Sequence, residues 1–232
     1  MKNCSEIQHV SLPGYRETIK YLEDKLVHFI NKSSIVLDAG CGSRNHLISY
    51  ERVRLLIGCD LDKNLIKEND DISVGVLIDL EKMGFRENTF DLIMSFDVIE
   101  HLKNPLAFIK NASKSLKLGG VIFLVTPNKN SIFGFVARLI PYRIKVYFTR
   151  YYSGCLTLNN VHWYRLNSPA LMVKALEDNE FNNVRLTMLN RLPSNPLMRK
   201  LLFPYYKICK NKLFSRYSGG LFCVAEKTNT KK

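Results

Sequence analysis

The sequence predicts a doubly wound α/β fold, with helices on both faces of a mostly parallel sheet. Three observations predict it. Short, nearly continuous apolar runs recur between residues 35 and 125. Runs that do not alternate with polar residues belong to sheets buried on both faces. Helix-like stretches separate several of them, the order expected of βαβ units. The runs also end repeatedly at glycine or an acid, the groups expected where strands of such sheets give way to ligand-binding loops.

The elements follow in order. Residues 15–31 place Ile19, Leu22, Leu26 and then Phe29 or Ile30 at spacings of three and four, which predicts an amphipathic helix. The apolar runs 35–37, 55–59, 72–78, 90–96 and 120–125 predict five strands. Helices are expected over 62–69 and 104–118. The second has Pro105 at its start and Gly119-Gly120 at its end, the usual asymmetry of helix punctuation. After Pro127 the pattern breaks, and 128–160 is aromatic, basic and irregular. Ser168-Pro169 opens a helix reaching Glu180, and 183–189 reads as a strand. Residues 191–216 are basic and mixed, with Pro193, Pro196 and Pro204. Residues 219–225 close the pattern as a last strand.

Composition narrows the function classes. Hydrophobic residues make up 46% and charged residues 24% of 232, which argues against disorder of the whole chain. The net charge is +13, but residues 138–216 alone hold fourteen Lys and Arg against three Asp and Glu. Basicity is therefore regional, and such a field attracts phospholipid headgroups, nucleic acid or an acidic substrate. The six cysteines form no C-x-x-C pair and have no histidine at zinc-ligand spacing. They predict a reducing compartment and no metal site. Residues 1–14 lack an apolar signal core, and no apolar run reaches the ~20 residues of a spanning helix. A cytoplasmic protein is expected.

The strand ends carry the chemistry. Gly40 and Gly42 follow the first strand, where glycine permits a tight turn and close approach to a ligand. Asp60 ends the second, twenty residues after Gly40, where a carboxylate can accept hydrogen bonds from a ribose diol. Asp79 ends the third; Ser95, Phe96 and Asp97 end the fourth. Together they predict a nucleoside pocket. A nicotinamide fingerprint would need glycine at 45, where Asn45 stands.

Leu37-Asp38-Ala39-Gly40-Cys41-Gly42-Ser43 resembles the first motif of the class I S-adenosylmethionine-dependent methyltransferases. Gly58-Cys59-Asp60-Leu61-Asp62 resembles their second motif, and Asp79-Leu80-Glu81 their adenine-side motif. Asp97-Val98-Ile99-Glu100-His101-Leu102 is similar to a signature of the members related to ubiquinone biosynthesis O-methyltransferases. Leu118-Gly119-Gly120 and the block from His162 to Ser168 continue the series.

The resemblance implies a Rossmann-like sheet of seven strands with the last antiparallel. It implies a single domain over 1–232, with a substrate-side insertion at 129–165, to which the residues themselves add a basic amphipathic element at 191–216. It implies S-adenosylmethionine as cofactor. Asp38, Gly40, Cys41 and Gly42 would hold its methionine portion, Asp60 and Leu61 the ribose side, and Asp79 and Leu80 the adenine. Phe96 would line the pocket near the sulfonium. Arg44 stands where many members have a third glycine. If the acceptor is a hydroxyl, His162 and His101 are the candidate general bases.

The expected partner is a small-molecule, lipid-linked or glycan acceptor, methylated at oxygen. Interleaved aromatic and basic residues in 132–152 and 197–214 add an anionic membrane surface, reached as a peripheral protein on the inner membrane face. Nucleic acid ranks below it. RNA or protein methylation, or a non-catalytic binding role, are the alternatives.

Overall fold

The structure, a computed structural model, describes residues 8–12, 15–44, 47–48, 50–131, 163–191, 196–211 and 214–229. The strands are β1 (Gln8–Leu12), β2 (Ile35–Ala39), β3 (Leu55–Asp60), β4 (Val74–Leu77), β5 (Phe90–Phe96), β6 (Leu116–Pro127), β7 (Phe181–Arg191) and β8 (Gly220–Lys227). The helices are α1 (Tyr15–Leu26), α2 (Lys63–Lys67), α3 (Pro105–Ser115), α4 (Pro169–Glu177) and α5 (Pro196–Cys209).

One sheet runs β1-β7-β8-β6-β5-β2-β3-β4. Seven of these strands are the expected ones. β8 is antiparallel to both its neighbours, and the other pairings are parallel. The eighth strand is a finding: β1 adds to the outer edge of β7, in register from Gln8 with Thr187 to Leu12 with Arg191. Nothing in the apolar pattern marks a strand of five residues with a polar start.

Two apolar clusters cover the sheet. On one face Leu37, Ile93, Ile122, Leu124 and Cys223 pack with Phe108 and Ile109 of α3 and Met172 and Leu176 of α4. On the other, Val36, Leu92, Phe123 and Phe222 pack with Leu22 and Leu26 of α1. Successive β2 residues serve opposite clusters, so its continuous apolar run is needed on both faces.

Several boundaries differ from expectation for local reasons. α1 stops at Leu26 and continues as a single tighter turn, Val27–Phe29. α2 is five residues long, and the Asp62 side chain accepts from Asn64 N at 2.8 Å to cap it. α3 ends at Ser115 rather than Leu118, and Gly119 turns the early part of β6 at φ 77°. β4 covers only part of the expected 72–78 run; as an edge strand it leaves Val74 and Leu77 exposed.

Candidate functional site

β2, β3, β4, β5 and β6 all run the same way, so their carboxyl ends share one edge. Ala39 lies level with Cys59, and Phe96 with Val125. The residues marked in the sequence at these strand ends are therefore brought together.

The turn after β2 is held from three sides. Gly40 N and Cys41 N both donate to the carbonyl of Cys59, at 2.8 and 3.0 Å. Ser95 Oγ donates to the carbonyl of Ala39 at 3.0 Å. Asn69 Nδ2 reaches the carbonyls of Cys41 and Gly42 at 3.2 and 3.1 Å. Asn69 is buried and was not marked in the sequence. An asparagine just past a short helix carries no signal of its own; only the fold brings it beneath the turn.

The two glycines have different reasons. A Cβ at Gly40 would lie 2.3 Å from Val98 Cγ2, so Gly40 is required by the chain packed against it. Gly42 has φ 53°, and a Cβ there would meet nothing within 4 Å. The free side of the turn is at Gly42. Arg44 is exposed and is not among the residues with positive φ, so its backbone does not need the third glycine.

Asp60 ties the second strand to this turn. Its Oδ2 accepts from Gly42 N at 3.0 Å and its Oδ1 from Asp62 N at 3.0 Å. A carboxylate has about four acceptor sites, so about two remain beyond these bonds. Leu61, next along, is 70% exposed, an apolar surface beside that carboxylate. Asp38 is buried, and its carboxyl is raised from 3.8 to about 7, first by burial and then by the charge of Asp60. Burial likewise lifts the Cys41 thiol to about 12 and the Cys59 thiol further, so neither is a thiolate nucleophile.

The residues after β4 divide. Asp79 Oδ1 accepts from Glu81 N at 2.9 Å, capping the turn Leu80–Lys82. The Leu80 side chain packs in the core at 5% exposure, so only its backbone is left for a ligand. Phe96 is half-buried at the end of β5.

Beyond β5 the chain turns at Asp97, φ 53°, whose N–H donates to the carbonyl of Val125 at 2.8 Å. Glu100 is buried and its Oε2 accepts from Thr126 Oγ1 at 2.9 Å; Asn167 Nδ2 donates to the same hydroxyl at 2.5 Å. The Glu100 carbonyl accepts from Trp163 N at 2.7 Å and Tyr164 N at 3.3 Å. Lys129 N donates to the carbonyl of Asn167 at 2.8 Å. These bonds close a neck on the segment between Lys129 and Asn167. Tyr164 is held above its usual 10 by burial, then by the charges of Glu100 and Asp97, so its hydroxyl keeps its proton. Thr126, Tyr164 and Asn167 were not marked as site residues. His101 is half-buried on the turn Ile99–His101. His162 lies outside the described residues.

A cavity of about 1020 Å³ lies elsewhere, between α1 and β7–β8, lined by Tyr21, Phe29, Arg185 and Phe222 among others. It contains none of the marked residues. Among the described residues no group of acids, histidines and cysteines could hold a metal ion.

The comparisons with known proteins bear on this edge. A family model described as a methyltransferase domain matches residues 14–186. The ubiquinone biosynthesis O-methyltransferase of Dictyostelium discoideum, a mitochondrial protein, is 28% identical over 210 residues, covering 77% of this chain and 62% of that protein. The ubiquinone biosynthesis O-methyltransferase of Parvibaculum lavamentivorans is 28% identical over 174 residues, covering 71% of this chain and 64% of its own. The chain thus spans just over three fifths of the length of these relatives. Among solved structures, a SAM-dependent methyltransferase from Archaeoglobus fulgidus aligns with a TM-score of 0.56 at 16% identity, covering 92% and 96% of the two chains. Phosphoethanolamine N-methyltransferase 2 of Haemonchus contortus, solved with S-adenosyl-L-methionine, aligns at 0.59 and 16% identity, covering 94% of this chain and 54% of that one. At these identities the two structures speak for the fold alone.

Proposed function

This chain belongs to the class I S-adenosylmethionine-dependent methyltransferase family, and from that premise we propose that it methylates an oxygen of a small, hydrophobic acceptor. The observation that carries the reading is the turn at Gly42. Its left-handed backbone, its open outer side and its bond to Asp60 make a cradle for a nucleoside whose diol meets that carboxylate.

The residues present fit the methyl donor. Asp38 is a buried acid held partly protonated by its surroundings, and an ammonium group would favour its charged form. That suits the amino group of a methionine. Asp60 keeps acceptor sites for the ribose hydroxyls, Leu61 gives apolar cover, and Asp79 with the backbone of Leu80 borders the adenine side. When bound, S-adenosylmethionine supplies a methyl group already activated on a sulfonium. The chain's task is then to position the acceptor and exclude water. Phe96 contributes to the wall, and Tyr164 offers a hydroxyl that stays protonated beside Asp97 and Glu100.

Oxygen as the acceptor atom is supported by the curated relatives, which are O-methyltransferases by name. A hydroxyl acceptor needs a general base, and His162 and His101 remain our candidates. The acceptor we favour is lipid-linked or otherwise hydrophobic, met by a cytoplasmic protein working at the inner membrane face.

Two measurements test this. Titration with S-adenosylhomocysteine and, separately, with NAD should give binding to the first alone; the reverse would end the methyltransferase reading. Incubation with methyl-labelled donor and cell fractions should place label in the lipid extract. Label in RNA or protein instead would overturn the acceptor class.

A further inference from the structure

The 28 residues between β7 and β8 are surplus to a simple hairpin, and among them 196–211 and 214–219 are described and carry a basic, partly apolar surface. From Phe181 to Ala225 the chain contains no Asp or Glu and eight Lys and Arg. α5 occupies fourteen of these residues. Tyr206 and Cys209 are buried on its inner side. Lys200, Phe203, Lys207 and Lys210 follow one another at spacings of three and four, so they share the outer face, and all four are exposed. Phe203 is 60% and Ile208 54% exposed, and Phe214 continues the apolar row past the helix end. None of Lys200, Lys207, Lys210 and Arg216 has an ion-pair partner among the described residues.

The surface is fastened to the edge that carries the cofactor cradle. Asn128 directly follows β6, and its Nδ2 donates to the carbonyls of Arg216 and Ser218, both at 2.8 Å. Its own N–H donates to the carbonyl of Gly219 at 3.0 Å. The Tyr205 hydroxyl donates to the carbonyl of Tyr217, which ties α5 to the same turn.

We infer that α5 and the turn Ser215–Tyr217 form a docking surface for an anionic phospholipid bilayer. The inference rests on the proposed hydrophobic acceptor for its purpose, since it sets the carboxyl edge of the sheet against the surface from which such an acceptor would come. Lysines around exposed Phe and Ile are what an interfacial element requires: the rings and branched carbons enter the acyl boundary while the ammonium groups stay at the phosphates. Nucleic acid would reward the lysines but gives no gain for exposing Ile208. α5 is too short to span a bilayer, and no helix among the described residues is long and apolar enough to cross one.

The test is co-sedimentation of the full chain with vesicles of phosphatidylglycerol and phosphatidylcholine, against phosphatidylcholine alone, with a single-stranded RNA as competitor. The expected result is pelleting with the anionic vesicles only. The Phe203→Ser/Ile208→Ser variant should lose about tenfold in partition, from the apolar contribution of two large side chains. Lys207→Glu/Lys210→Glu, made separately, should also release the protein. Both variants should melt like the wild type and bind S-adenosylhomocysteine unchanged. Wild type left in the supernatant, an apolar variant that still pellets fully, or RNA that strips the protein from vesicles at equal charge would each overturn the inference. Loss of S-adenosylhomocysteine binding by the wild type would instead strike the cofactor reading, so the two failures are distinguishable.

Discussion

Replacing Asp38 by asparagine tests the electrostatics of the cradle. The folded carboxyl sits at about 7 against an ordinary 3.8. The folded state therefore holds a proton that the unfolded chain has already lost. This group's contribution to stability is therefore present at low pH, declines as pH rises from about 4 through 7, and is then constant. The whole displacement amounts to about 4 kcal/mol, and the part between pH 5 and pH 8 to about 3 kcal/mol. A carboxamide cannot ionise, so the Asp38→Asn variant should lack this decline. Denaturant unfolding of the cofactor-free protein at pH 5, 6, 7 and 8 would measure it as the difference in slope between wild type and variant. Ligand binding should show the converse. An ammonium group beside Asp38 favours ionisation, so S-adenosylhomocysteine should bind the wild type up to about fiftyfold more tightly at pH 7 than at pH 5 through this group. The variant should lack this dependence and bind about tenfold or more weakly at pH 7, the scale of a lost charge-assisted hydrogen bond. Parallel stability profiles, or equal affinity at pH 7, would refute the role given to Asp38.

Other perturbations separate packing from binding. Gly40→Ala should destabilise the fold by about 2 kcal/mol or more, because its Cβ would meet Val98 at 2.3 Å in a left-handed backbone; urea unfolding would show it. Gly42→Ala should cost only about 1 kcal/mol of stability, with open space around the new methyl, yet weaken S-adenosylhomocysteine in calorimetry. Asn69→Ala removes two hydrogen bonds to the turn and should cost about 1–3 kcal/mol, with a weaker ligand affinity that added salt does not restore. His162→Ala should lower turnover without weakening cofactor binding, and unchanged turnover would remove it from the mechanism.

The sheet was readable because burial on both faces writes itself into the chain. β2, β3, β5 and β6 carry that continuous apolar pattern, and Asp60 could be found by counting from Gly40. β1 could not be read, since its pairing partner lies far along the chain and its five residues alternate only weakly. The difference between Gly40 and Gly42 was equally hidden: both are glycines in one motif, and only Val98, arriving from another strand end, distinguishes them. Asn69, Thr126 and Asn167 act through hydrogen bonds made across elements. No local spacing encodes such contacts. Leu80 is a motif residue whose side chain serves the core, a division between side chain and backbone that no motif spells out.

The extra strand has a consequence for the order of assembly. β1 pairs in the sheet with β7 alone, and the two meet across a long stretch of intervening chain. Contacts of such separation are the slowest to close. During synthesis β1 emerges first and must wait for β7, whose own inner partner, β8, emerges later still. Until then the outer rim of β7 is an open row of backbone donors and acceptors, the kind of rim that recruits foreign strands. The five residues of β1 thus act as a late-closing seam, and until it shuts the rim of β7 stays available to foreign strands.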